Sequence, residues 1–304
     1  MTNEIEHRPL ADDEIDLREL FTMLWRGKWI ITAFTFLFAI GSISCALSLP
    51  NIYKSEVLLA PSEDSQGRGL TGMVGGLGGL ASFAGLSLGG NQADKTTIAL
   101  EILKSRGFLT EFVEKHQILR EIMAVKEWSP NQGLVFNEEI YDSQQDIWVQ
   151  QAKPTSWEYV NHIRNNLLTI TREPESGLIR LSIHHQSPIF AKRFVELLVM
   201  DINDEMRKRD INEAKRSLEF LANELKQTSL SNMQQVFFEL IEKQTQTMML
   251  ANIRPEYIFQ TIDPAIAPEQ KVKPRRSLIV IVATALGTFF GAFFVLLRST
   301  ILKF

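Results

Sequence analysis

Two strongly apolar stretches of this chain carry no charged residue, Ile30 to Leu49 and Leu278 to Leu297, one near each end. Each is 20 residues long, which at ~1.5 Å rise per residue matches the ~30 Å hydrocarbon layer of a bilayer. A buried helix of a soluble protein would show a polar face at that length, and neither stretch has one. Both are expected to cross a membrane, so the residues between them fold on one side of it. The first stretch exceeds the roughly 7–15 residues of a signal-peptide core. It also follows 29 residues that include several acids, so cleavage is not expected. Ser42-Ile-Ser-Cys45 only loosely resembles a lipoprotein processing site, because the usual leading Leu is missing.

Basic residues orient the spans. Arg18, Arg26 and Lys28 precede the first, and Lys54 is the nearest positive charge after it. The second has the opposite bias, with Lys271, Lys273, Arg275 and Arg276 before it and only Arg298 and Lys303 after. The first helix usually dominates, and a loop of 228 residues crosses largely regardless of charge. The expected layout is therefore a cytoplasmic N-terminus (1–29), a first span (30–49), a domain across the membrane (50–277), a second span (278–297) and a cytoplasmic tail (298–304). Trp25 and Trp29 suit the interfacial belt.

Composition removes several classes. The net charge of −4, without a basic stripe interleaved with aromatics, argues against nucleic acid as a partner. The single cysteine, Cys45, excludes an intrachain disulfide, so burial and assembly must hold the fold.

Asp12 or Asp13 can cap a short helix carrying Ile15, Leu17, Leu20, Phe21 and Leu24. Tyr53 to Ala60 reads as a strand closed by Pro61. Gly67 to Gly90 then holds ten glycines in 24 residues. Gly67, Gly69 and Gly72 formally match a dinucleotide fingerprint, but glycine at this density cannot supply the helix that such a site needs. Leu77, Leu80, Phe83, Leu86 and Leu88 suggest a flexible loop packed on a neighbour or near the membrane. Lys95 to His116 has a helical pattern, whereas residues 125–160 show little periodicity. Leu167 to Arg172 and Leu178 to His184 alternate around Glu173-Pro-Glu-Ser-Gly177, a hairpin signal.

Ser187 and Pro188 provide an N-cap and a first-turn proline, and Pro188 to Gln227 reads as one helix about 60 Å long. Its middle, Asn203 to Asp210, has six charged residues in eight, so a soluble core is not expected to surround it. Ile211, Ala214, Leu218, Leu221 and Leu225 follow the 3-4-3-4 spacing of a coiled-coil seam. The helix is expected to protrude and pack against another, and Met233 to Ala251 could fold back on it, giving extended helices over about 188–251. Tyr257 to Ile262 is a last strand. The expected class is α+β: a membrane-proximal mixed sheet, a long protruding helix and two flanking spans.

The chemistry-bearing motifs are absent. No phosphate loop, H-E-x-x-H or cysteine-ligand cluster occurs, so no catalytic, metal or cofactor site is expected. His184 and His185 point to opposite faces of a strand, one expected exposed and the other half-buried. Glu138 and Glu139 read as a solvated loop. Arg207, Lys208 and Arg209 could contact an anionic glycan or a lipid phosphate. Ala283, Gly287 and Gly291 recur every four residues, a small-residue face that permits close helix packing in membranes. Pro264, Pro268 and Pro274 should keep a helix from running smoothly into the second span and favour a stiff, extended linker.

Several of these segments carry a family likeness. Ile15-Asp-Leu-Arg-Glu-Leu20, Leu24-Trp-Arg-Gly-Lys-Trp29, Tyr53 and Leu58-Leu-Ala-Pro61 resemble the N-terminal signature of Wzz-type polysaccharide co-polymerases. Leu250-Ala251, Tyr257, Phe259, Ile262-Asp-Pro-Ala265, Pro268 and Pro274-Arg-Arg276 are similar to the proline-rich segment of the same family. The resemblance implies a ring-like homo-oligomer in a bacterial inner membrane, with residues 50–277 periplasmic, that regulates how long a lipid-linked glycan grows, beside a separate polymerase and without catalytic residues of its own. An O-antigen regulator is the first expectation; a regulator of capsule or exopolysaccharide polymerisation and export is the second. Only seven residues follow the second span, leaving no room there for a fused kinase or a sensory output domain. The spans are expected to stabilise the ring, so the isolated loop domain should associate weakly.

Overall fold

The computed structural model describes residues 22, 24–62, 95–149, 153–227 and 231–301. The proposed N-terminal helix around Ile15 and the glycine-rich stretch lie outside the described residues. Helix α1 (Lys28–Ser48) is followed by strand β1 (Tyr53–Pro61) and helices α2 (Lys95–Lys104), α3 (Arg106–His116) and α4 (Leu119–Met123). Two short hairpins come next: β2 (Val125–Ser129) with β3 (Gly133–Phe136), and β4 (Tyr141–Asp142) with β5 (Ile147–Trp148). Helix α5 (Ser156–His162) passes through a π-helical turn into β6 (Leu168–Arg172) and β7 (Ile179–His185). Helices α6 (Pro188–Gln227) and α7 (Ser231–Ile253), strand β8 (Phe259–Asp263) and helix α8 (Arg276–Ile301) complete the chain. These elements form two compact units, residues 51–272 and the paired terminal segments.

In the terminal unit, α1 and α8 pack side by side. Phe36, Leu37, Ile40 and Leu47 of α1 are exposed, as are Ile281, Leu286, Phe289 and Phe293 of α8. Soluble proteins rarely present contiguous apolar surface on this scale. Lipid is the solvent that such helices suit, and both are long enough to cross it.

The central unit is built on a four-stranded sheet of order β6-β7-β1-β8. The sheet is not mixed, as the sequence suggested, but antiparallel in every pairing. The helical crossover after β1 brings β6 back in the direction of β1, but the β6–β7 hairpin places β7 between them. Gly177, at φ 70°, supplies the left-handed residue of that turn at no Cβ cost. Alternation selects the inner face: Val57 and Leu59 of β1 and Ile179, Leu181 and Ile183 of β7 are buried. Phe112 of α3 and Phe194 of α6 meet edge-on over this face, ring centroids 5.0 Å apart. Burial of each such side chain stabilises the unit by roughly 1.5–3 kcal/mol.

Caps explain the helix boundaries. The helix expected over Lys95 to His116 is two helices, because Ser105 is extended and its side chain accepts a hydrogen bond from the Phe108 amide. Ser187 caps α6 in the same way through the Phe190 amide, at 3.2 Å. Thr155 and Glu158 form a reciprocal capping box at the start of α5.

Candidate functional site

The strongest polar architecture of the central unit lies along α6. Asp201, almost fully buried, accepts hydrogen bonds from Lys115 Nζ at 2.7 Å and His116 Nε2 at 2.8 Å, both from α3. The bond to Asp201 raises the Lys115 pKa. Two residues on, the Asn203 amide group donates to the carbonyls of Val199 and Phe259 and accepts from the Ile258 and Phe259 amides. Asp210 accepts from Lys95 Nζ at 2.6 Å and Tyr257 Oη at 2.5 Å. Three side chains of one helix thus fasten it to α2, to α3 and to the start of β8.

This corrects the expectation that no core could surround the charged middle of α6. Ile202, Asn203, Met206 and Asp210 are buried along one face, and the buried carboxylates are paired, which is the condition for burying them. The signal was available in the sequence: positions 203, 206 and 210 share a helix face.

Within the basic run, Arg207 pairs with Asp204 and donates to the Pro255 carbonyl at 3.3 Å. Arg209 pairs with Glu205. Lys208 is exposed. Farther along α6, Ala214 and Leu221 are buried, Ile211, Leu218 and Leu225 are half-buried, and α6 packs with α7. Beside this contact, Phe220 remains 62% exposed.

The proline segment follows β8 and runs back along the first half of β1. Pro264 and Pro268 lack amide hydrogens and cannot extend the ladder, so the link is intermittent. Ser55 Oγ donates to the Ile266 carbonyl at 2.8 Å, and the Val272 amide donates to the Ile52 carbonyl at 2.8 Å. Lys271 Nζ reaches Asn51 Oδ1 at 2.9 Å. Pro274, in the terminal unit, follows a cis peptide bond and precedes α8.

In that terminal unit Gly287 and Gly291 are buried and Ala283 is half-buried. A Cβ at Gly291 would lie 2.9 Å from Ile31 Cα, and one at Gly287 would lie 2.7 Å from Phe38 Cβ. Beside the glycines Phe38 and Phe290 stack, and Phe34 and Phe294 meet at a tilt. The hydroxyls of Thr35 and Thr288 are 3.1 Å apart and form a hydrogen bond between the helices.

The adjacent histidines differ from expectation. His184 is half-buried and His185 is fully buried, because its face of β7 is the one covered by helices. His185 Nε2 donates to the Glu121 carbonyl at 2.8 Å, while Nδ1 accepts from the Ser187 amide at 3.0 Å. Burial pushes its pKa down to about 4. On the opposite face of the sheet, Arg180 bridges Glu56 and Glu173. The Glu56 pKa is lowered by its bond from Lys54, with help from Arg180. Among the described residues, no group of three or more His, Cys, Asp or Glu side chains could hold a metal ion.

Comparison with known proteins adds two matches. Residues 13–116 match the family model for the Wzz chain length determinant protein. Residues 225–300 match the model for a G-rich domain on putative tyrosine kinase. Similar solved structures include a full-length bacterial polysaccharide co-polymerase, 14% identical with a TM-score of 0.40, the likeness covering 95% of this chain and 99% of that one. A fragment of WzzB, a polysaccharide co-polymerase from Salmonella Typhimurium, is 11% identical with a TM-score of 0.28, over 73% of this chain and 100% of the fragment. No curated protein matches the chain.

Proposed function

We propose that this chain, which belongs to the Wzz-type chain-length determinants of the polysaccharide co-polymerase family, regulates the length of the O-antigen of lipopolysaccharide without catalysing its synthesis. The observation that carries the reading is the match of residues 13–116 to the chain length determinant model. A polar network that only fastens elements together, as around Asp201 and Asn203, supports a scaffold rather than a catalyst. In this reading both termini are cytoplasmic, residues 50–277 are periplasmic, and copies of the chain form a ring in the inner membrane beside a separate polymerase.

The parts then have distinct roles. The α6–α7 pair, packed along Ile211, Ala214, Leu218, Leu221 and Leu225, extends the domain. The segment with Pro264, Pro268 and Pro274 transmits domain geometry to the second span. The face formed by Ala283, Gly287 and Gly291 sets the packing of the spans. Of Arg207, Lys208 and Arg209, the two arginines are occupied by carboxylates, so Lys208 is the group left to meet an anionic glycan.

A second reading, regulation of capsule or exopolysaccharide polymerisation and export, is favoured by the match of residues 225–300 to a domain named for its occurrence on putative tyrosine kinases. Deleting the gene and separating the surface glycans on gels distinguishes the two. Loss of the modal O-antigen length, restored by this chain, supports the first. An unchanged O-antigen with altered capsule or secreted polymer supports the second, and no glycan change contradicts both.

A further inference from the structure

An open groove of about 400 Å³ lies between the C-terminal end of α1 and the N-terminal end of α8. Ile43, Ala46 and Leu47 line it from α1, and Val280 and Ile281 line it from α8. Arg276, the first residue of α8, also lines it. Lys273 and Arg275, both exposed, stand just before that arginine in the chain.

At this end of the terminal unit the charged residues are Lys273, Arg275 and Arg276, and residues 24–50 and 273–304 contain no aspartate or glutamate. An apolar trough that ends in a basic cluster matches an amphiphile with hydrocarbon chains and a negatively charged head. Basic pockets between membrane helices recognise lipid headgroups by this complementarity.

We propose that this groove is a binding site for an anionic phospholipid of the bilayer. One acyl chain lies along Leu47, Val280 and Ile281, and the phosphate lies against Arg276, Arg275 and Lys273. Nothing in the proposal depends on which side of the membrane this end of the helices occupies, or on which glycan the protein serves. It goes beyond the proposed function, and either can fail alone.

The test is native mass spectrometry of the full chain in neutral detergent, titrated with phosphatidylglycerol and with phosphatidylcholine of the same acyl chains. Each basic residue beside an anionic group supports roughly a fivefold preference. The intact chain should therefore retain phosphatidylglycerol at least about fivefold better than phosphatidylcholine. The combined variant Lys273→Gln, Arg275→Gln, Arg276→Gln should lose that preference. Its phosphatidylcholine retention should not change, which shows that the helix pair is intact. Arg298→Gln, at the other end of α8, should keep the preference. Equal retention of the two lipids by the intact chain would overturn the proposal, as would a preference that survives the triple variant or disappears equally in Arg298→Gln. Displacement of phosphatidylglycerol by equimolar polyprenyl phosphate would overturn the assignment of a bilayer phospholipid as the occupant.

Discussion

Helix α6 is one continuous element with two environments. Up to Asp210 it buries Phe190, Phe194, Leu198, Ile202 and Met206 against the sheet and the helices over it, and its buried Asp201, Asn203 and Asp210 side chains are paired. After Asp210 its fully buried residues are Ala214 and Leu221. The near half therefore has a wide apolar stripe and polar clasps, whereas the far half has a narrow seam. Most helical stability in proteins comes from the packing of an apolar face, so tertiary burial makes the difference. The near half should unfold with the domain, and the far half should be the softer lever.

The largest effect should come from truncation in the near half. Phe194→Ala removes a ring packed between Phe112 and Phe190 and should cost about 3–5 kcal/mol. Leu221→Ala in the seam should cost about 2 kcal/mol, at the low end for a leucine. Thermal unfolding of the full chain in detergent reads both, and equal losses would erase the distinction between the halves.

Next in size is a pH effect at the foot of α6, where the His185 ring lies 4.4 Å from that of Phe190. His185 is held neutral, with a pKa of about 4 against an ordinary 6.5. The unfolded chain takes up this proton first as pH falls, so the stability contributed by the neutral ring is complete above about pH 6.5 and declines towards pH 4. The full difference is about 3 kcal/mol. The neighbouring His162, whose pKa burial also lowers, acts in the same direction. His185→Gln should flatten the unfolding midpoint between pH 7 and pH 5; an unchanged slope would place the titration elsewhere.

Asn203→Ala leaves the Ile258 and Phe259 amides without their partner and should cost about 2 kcal/mol. Hydrogen exchange should then show β8 opening before β1 and β7. Lys208→Ala should change stability by less than about 0.5 kcal/mol, so any change it makes in glycan length reports contact rather than folding.

The elements of the fold were legible in the sequence where a pattern runs long. The limits of α6 follow from Ser187, Pro188 and its length, and the β6–β7 hairpin follows from alternation around Gly177. The small hairpins over residues 125–148 were not, since strands of two to five residues are too short to show a period. Strand sense was missed because it depends on which strand the hairpin inserts beside β1. The clasps were hidden for another reason: Lys95, Lys115, His116 and Tyr257 lie far in sequence from Asp201 and Asp210, and isolated carboxylates read as solvated until their partners are placed. The family likeness, by contrast, was carried by terminal motifs that are contiguous in the chain.

The central proposal is that this protein shapes polymer length and leaves bond formation to a separate polymerase. The most direct measurement is the number of repeat units per glycan, together with total polymerised glycan, in cells with and without the chain. The expected result is a similar total in both, with a modal length that appears only when the chain is present. Loss of all polymer in its absence, restored by the chain, would contradict the account and make it part of the polymerising machinery itself.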